Sequence, residues 1–309
     1  MKKLLLLLLV IVTSVPYIGY SQGNAYDAYH SLNRDEFTLG LGASQFLGDL
    51  GGSPQVGTHF LRDFNFGSVR YGGYFGYRKR INKSFALKGV VTVGEFAGSD
   101  VLTANAVRNN RNISVRSLIL GPSVQAEYYF YQHDHPGHRY KIQHASGFAS
   151  MAIDAYLFVG AGLDYYNPQS EYNGKWYNLR SLSTEGEGLP GGPPTYSPIA
   201  FSVPAGIGMK YLLSHQWSIG IEISDRLWVS SDYLDDTHGN YFSTSEIQKY
   251  KGSAAAYFAD PSKGLIVGQD YVGQERGDPT HNDSYMFMFL SLNYRPGGYH
   301  ERRHNRAKF

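Results

Sequence analysis

The chain contains no cysteine. That excludes a disulfide scaffold, a thiolate-bound zinc or iron–sulfur centre and a cysteine nucleophile. It also excludes a lipid-modified cysteine at an export cleavage site. Charge is scarce too: 17% of the 309 residues are Asp, Glu, Lys or Arg, against roughly 25% in an average soluble domain. Apart from Leu4 to Val12 there is no long apolar run, and that stretch is short of the ~20 residues a spanning helix needs.

What is present points elsewhere. Tyr (26), Phe (17) and Trp (3) make up 15% of the chain, and Gly adds 36 residues. So aromatic a composition excludes a disordered chain. Met1-Lys2-Lys3, the Leu4 to Val12 run and the small residues Gly19 and Ser21 before Gln22 have the pattern of a secretory signal peptide over 1–21. Losing Lys2 and Lys3 with it leaves 26 basic against 26 acidic residues, a balance that argues against nucleic acid as a partner.

An exported chain without spanning helices has one way across a membrane, a closed β-barrel. Its strands must alternate apolar and polar residues with period two. Eight segments do so: Glu36 to Ser44, Val69 to Arg78, Phe85 to Phe96, Ser114 to Phe130, Ala152 to Tyr165, Phe201 to Leu213, Ser218 to Trp228 and Tyr285 to Arg295. Phe37, Leu39 and Leu41, for instance, oppose Glu36, Thr38 and Gly40. Connections of about 24, 17, 35 and 56 residues alternate with short ones near Asn82 and His215, the long-outside, short-periplasmic pattern of outer-membrane barrels. Tyr131 to Met151 is long for a periplasmic turn. The expected fold is an all-β, eight-stranded antiparallel transmembrane barrel over 36–295. A periplasmic segment over 22–35 precedes it, a basic tail over 296–309 follows it, and both termini are periplasmic.

An eight-stranded barrel has an interior just wide enough for side chains. The inward positions carry Glu36, Glu127, Asp154 and Glu222 and, of opposite sign, Arg78, Lys88, Lys210 and Arg226. Isolated buried charges are costly, so the eight are expected to pair rather than line a pore. Gly160, Gly162, Gly206 and Gly208 alternate along strands, which suits bulky lumen neighbours such as Tyr74 and Tyr156 better than a phosphate loop.

Chemistry is sparse. Asp232, Asp235 and Asp236 offer oxygens of the kind that bind a cation, and equally suit a hydrogen-bonded turn. His133, His135, His138 and His144 have spacing open to zinc or nickel, or to plain solvation. No Ser–His–acid set is readable. No catalytic residue, cofactor or metal is therefore expected.

Several blocks carry a resemblance: Gly48-Asp49-Leu50; Asn167-Pro168; Gly174-Lys175-Trp176-Tyr177-Asn178-Leu179; Ser183-Thr184-Glu185-Gly186-Glu187-Gly188; Val203 to Gly208; Ser231-Asp232-Tyr233-Leu234-Asp235-Asp236; Arg276-Gly277-Asp278-Pro279; and Asn282 to Tyr285. In this order, over roughly residues 35 to 295, they resemble the PorG family of small outer-membrane barrels in the type IX secretion machinery. The resemblance implies a non-enzymatic component, gliding included, that anchors a periplasmic ring of PorK-like lipoprotein and PorN-like protein to outer-membrane lipid. A ligand-binding or adhesin-like barrel acting through its loops, or a membrane-bound hydrolase, are the alternatives. The family ends with an aromatic residue soon after the last strand. Here Pro296 stands at that place, leaving Tyr294 as the candidate terminal aromatic. The stretch from Arg295 to Phe309 holds five basic residues and one acidic.

Overall fold

The computed structural model describes residues 35–47, 50, 66–103, 105–132, 153–214, 216–265, 271–277 and 282–296. The signal peptide, the 22–34 segment, the tail beyond Pro296, Gly48, Asp49, His133, His135, His138, His144 and His215 lie outside the described residues.

Nine strands form one sheet: β1 (Asp35–Leu47), β2 (Arg70–Arg80), β3 (Phe85–Ser99), β4 (Ser114–Tyr131), β5 (Ile153–Tyr172), β6 (Lys175–Asn178), β7 (Ile199–Leu212), β8 (Trp217–Val229) and β9 (Ser284–Tyr294). Each pairs antiparallel with its neighbours; β1 pairs with both β2 and β9, and the β4–β5 and β8–β9 ladders complete the ring. Eight strands thus close an antiparallel barrel, and β6 is an extra hairpin arm on β5. Closure leaves the eight wall strands without edges, which a membrane-crossing sheet requires.

The period-two pattern sorts the side chains as expected. Leu39, Leu41, Phe75, Leu118, Leu163, Ile219 and Leu290 are exposed on the outer wall, while Glu36, Arg78, Lys88 and Glu127 are buried inside. No helix among the described residues is long and apolar enough to cross a membrane. Aromatic pairs mark both rims. Trp217 meets Tyr294 in a tilted pair at the short-turn end (4.8 Å), and Trp228 meets Phe201 near the other (5.8 Å). On β8 these tryptophans stand eleven residues apart. At ~3.3 Å per residue and a tilt of ~35–45° that is about 25–30 Å of wall, the height of an apolar membrane band.

Several strand ends run beyond the alternation. β1 begins at Asp35, β3 continues to Ser99, and β5 continues to Tyr172 before turning into β6. The stretch from Gly174 to Asn178 is therefore a hairpin arm, not loop. Asn173 and Gly174 at its tip both have positive φ (52° and 75°), the conformation a two-residue Asn-Gly hairpin turn demands. Among the described residues, two other long connections carry helices: α1 (Ala106–Arg111) between β3 and β4, and α2 (Thr244–Lys251) and α3 (Ser253–Ala259) between β8 and β9.

Candidate functional site

Two buried polar assemblies occupy the molecule, one in the lumen and one where the long connections meet. In the lumen, β1 supplies Glu36, whose carboxylate takes three cations, two from other strands and one from just past β9. Arg78 of β2 donates to Oε1, Lys210 Nζ of β7 lies 2.9 Å from the same oxygen, and Arg295 Nε lies 2.8 Å from Oε2. Arg78 also forks onto Glu127 of β4 at 2.6 and 2.9 Å. Lys88 Nζ donates to Glu222 at 2.7 Å, and Tyr156 OH reaches the same carboxylate at 2.8 Å. Each buried ion thus faces opposite charge and further donors, which offsets the loss of water.

All eight named charges are buried inside the barrel; six of them pair with one another and two take partners outside the set. Asp154 is held by Arg80 at 2.8 Å, and Arg226 sits 3.7 Å from Asp164, higher in the barrel. Both partners are outside the expected set of eight: Arg80 is the last residue of β2, beyond the Val69 to Arg78 alternation, and Asp164 sits mid-way along β5 on its inward side. Arg295, counted with the basic tail, belongs instead to the lumen: it is 8% exposed and bound to Glu36. Above this layer the lumen is filled by rings. Tyr74 stands edge-on to Phe289 at 4.8 Å, and Phe289 stacks on Phe287 at 5.0 Å. A Cβ on Gly208 would collide with the Tyr156 ring, and one on Gly40 with Tyr74. These inward glycines make room for the rings across the barrel.

At the long-loop end the resemblance blocks converge. Asp236 accepts from Thr184 Oγ1 and, at 2.6 Å, from Tyr196 OH. Glu185 accepts backbone N–H bonds from His238 (3.0 Å) and Gly239 (2.9 Å), and takes Arg276 Nη1 at 2.9 Å. Arg276 Nη1 also donates to the Asp236 carbonyl at 2.6 Å. Leu234 N–H donates to Asp283 at 2.9 Å. Glu187 Oε2 accepts the Glu185 N–H at 3.1 Å. Tyr166, Tyr196 and Tyr233 stack beside this cluster, with centroid spacings of 6.3 and 4.3 Å. Leu50 is buried and would be struck by a side chain on Gly98, so it packs against β3 under the cap. Trp176 lies at the rim, with the Arg116 guanidinium 3.3 Å from its ring centre.

Local backbone explains why these residue types stand here. Gly186 has φ +82° and no room for a Cβ beside Phe242. Asp236 is itself left-handed at φ +61°, a conformation Asp tolerates better than most residues. Burial, with Asp236 and Glu185 nearby, pushes the Glu187 carboxyl up from its ordinary range. Burial likewise raises Asp236, against the pull of Arg276.

The cation reading of the aspartates meets a different arrangement. Asp235 accepts the Thr237 N–H at 2.9 Å, Asp232 faces His238 Nδ1 at 2.8 Å, and Asp236 is occupied as above. Asp235 serves its own turn and Asp236 ties separate connections together, and among the described residues no three His, Cys, Asp or Glu side chains gather where they could hold a metal ion. The Asp232–His238 pair escaped the sequence reading because His238 lies far from every strand. Among the described residues no hydroxyl hydrogen-bonds to it. A shallow cleft of about 180 Å³ opens beside the cap between Arg180, Glu187, Thr195 and Tyr196.

No family model and no curated protein matches this chain. Solved structures similar to it are outer-membrane barrels. Ail, the attachment invasion locus protein of Yersinia pestis, in complex with a heparin analogue, is 10% identical, with a TM-score of 0.34 over 85% of this chain and 99% of that one. The N-terminal barrel domain of Pseudomonas aeruginosa OprF is 8% identical, at 0.32 over 85% and 98%. Neisserial surface protein A is 8% identical, at 0.34 over 84% and 96%. The chain folds as a closed eight-stranded antiparallel β-barrel.

Proposed function

We propose that the protein is a structural, non-conducting barrel of a type IX export machine, with the long-loop cap outside the cell and both termini in the periplasm. In this reading it fixes a PorK-like lipoprotein and PorN-like ring to the outer membrane, through binding rather than chemistry. The observation that carries it is the convergence of the motif blocks. Thr184 and Glu185, Asp236, Arg276 and Asp283 come from connections far apart in sequence and build one buried cluster. The residues behind the resemblance are thus the ones that shape the cap. The ion-paired, ring-filled lumen supports a support role over transport. The start of β1 and the end of β9 lie together at the short-turn end, where Phe37 pairs with Tyr294, which supports the reading of a shared periplasmic side for the two termini.

The test is purification of tagged full-length protein in mild detergent and identification of what accompanies it. Co-purification of the two ring proteins, with an export defect on deletion of the barrel gene, is the expected result. Normal export in the deletion strain overturns it. A hydrolase reading is disfavoured because His238, held by Asp232, has no nucleophilic partner among the described residues.

A further inference from the structure

Along β4 the outward positions form one column. From Leu118 to Phe130 every second residue faces outward, and none of these is charged or carries an amide side chain. Leu118 and Phe130 stand twelve residues apart. At ~3.3 Å per residue and a tilt of ~35–45° that is about 28–32 Å, the depth of a bilayer's hydrocarbon core. The next outward residue is Arg116, about 5 Å beyond Leu118 on the same geometry. On β5 the outward run from Leu157 to Tyr165 gives way in the same manner to Asn167 and Gln169. Arg116 pairs with Gln169 and Leu118 with Asn167 across the β4–β5 ladder, so the polar wall begins at one level on both strands. The β6 arm adds Asn178 opposite Gln169 and Trp176 opposite Glu171.

These side chains spend their acceptors on one another and keep donors to spare. Arg116 Nη2 donates to Gln169 Oε1 at 3.3 Å. Gln169 Nε2 and Asn167 Nδ2 both donate to Asn178 Oδ1, at 2.7 and 3.2 Å. The other N–H groups of Arg116, and the amide N–H groups of Asn178, have no protein partner among the described residues. The Arg116 guanidinium lies 3.3 Å from the Trp176 ring centre, so an aromatic face holds the cation in place. The carboxylates of this rim leave it uncompensated. Glu95, outward on β3, pairs with Arg70 at 3.6 Å. Glu171 is exposed one outward step beyond Gln169, farther from the apolar column, and among the described residues no ion pair joins it to Arg116. A guanidinium and spare amide donors thus stand where the lipid tails end.

We propose that this patch seats the phosphate of a lipid headgroup in the leaflet beside the long-loop end, with Arg116 and the Asn178 amide as donors and Trp176 against the base of the headgroup. A guanidinium forks onto two phosphate oxygens, and tryptophan favours the boundary between headgroup and tail. A free anion is the poorer occupant. The patch continues the apolar column directly below it, so a ligand that reaches Arg116 along the wall brings its own acyl chain. The proposal rests on the wall facing lipid and is independent of the export reading.

The experiment counts lipid retained on full-length protein by native mass spectrometry after release from detergent micelles. The probes are phosphatidic acid, diacylglycerol with the same chains, and inorganic phosphate. Wild type is expected to hold phosphatidic acid in preference to diacylglycerol, and excess inorganic phosphate is expected not to displace it. Arg116→Gln is expected to lose about tenfold of that preference, the worth of one charge-assisted contact. Trp176→Ala is expected to lose part of it, since Arg116 then lacks the ring that holds it. Lys249→Gln, which removes an exposed cation of α2 away from the wall, is the control and is expected to behave as wild type. Heat-modifiable gel mobility reports that each variant is folded, and protease protection in liposomes reports that it inserts. Failure of the wild type to insert overturns the lipid-facing wall itself. An inserted Arg116→Gln variant with full preference overturns this proposal alone. So does displacement by inorganic phosphate, the mark of an ion site without a lipid part, or an equal loss in Lys249→Gln, the mark of diffuse charge.

Discussion

Glu36, the second residue of the first strand, accepts a hydrogen bond from Arg295, just past the last strand, at 2.8 Å. The bond ties the two ends of the barrel across the β1–β9 seam. The same carboxylate holds Arg78 and Lys210, so Glu36 reaches full pairing only when the ring is closed.

Replacing Glu36 by Gln leaves three buried cations short of a counter-charge. The expected cost is about 3–5 kcal/mol, the usual penalty for breaking a buried pair from one side. Arg295→Ala should cost less, because its side chain is 10% exposed and Glu36 keeps two partners. Urea unfolding in detergent, read by the heat-modifiable shift on gels, measures both. Equal loss in the two variants would count against the hub role.

The filled lumen predicts electrical silence. Purified protein in planar bilayers should show no steady conductance, and trimming the cap should not create one, since the block lies in Arg78–Glu127, Tyr74 and Phe289. A reproducible open level in the wild type contradicts this.

The cap should tighten in acid. Glu187 is pushed up to about 7 and Asp236 to about 6, chiefly by burial. The two titrate as a coupled pair. A carboxyl raised in the folded state binds protons that the unfolded loop has released, so stability falls as pH rises from about 4 through about 7, and is level above that. Hydrogen-exchange protection factors, corrected for the intrinsic pH dependence of exchange, should rise at Ser183 to Gly188 and Tyr233 to His238 on going from pH 8 to pH 5. Glu187→Gln should flatten that dependence.

Two glycines with similar φ separate backbone strain from crowding. Gly174 (φ +75°) has open space around it, whereas Gly186 (φ +82°) abuts Phe242. Gly174→Ala should cost only the ~1 kcal/mol of a left-handed alanine. Gly186→Ala adds a clash that Phe242 must relieve, about 1–3 kcal/mol more, read as faster exchange in the cap.

Much of the barrel was legible along the chain, because lipid on one side and a polar lumen on the other impose period two on every strand. Leu39 and Glu36, or Leu118 and Glu127, declare their faces without a structure. The β5–β6 hairpin was legible too, through Asn173-Gly174 between Tyr172 and Lys175, a turn signal that the search for lipid-facing alternation passed over. The cap was not. Thr184 and Asp236, or Glu185 and Arg276, lie 52 and 91 residues apart, and no local rule links them.

The amino-acid sequence alone determined the strands, their faces, the sign balance inside and the absence of thiol chemistry, since each follows from short-range pattern or composition. Only the tertiary structure decided which charges meet: Asp154 with Arg80, Arg295 with Glu36, Asp236 with Tyr196. It also decided that the loop acids Asp100, Glu185, Asp236 and Asp283 are buried. Pairing depends on register and loop closure, which are properties of the closed ring rather than of any stretch of chain.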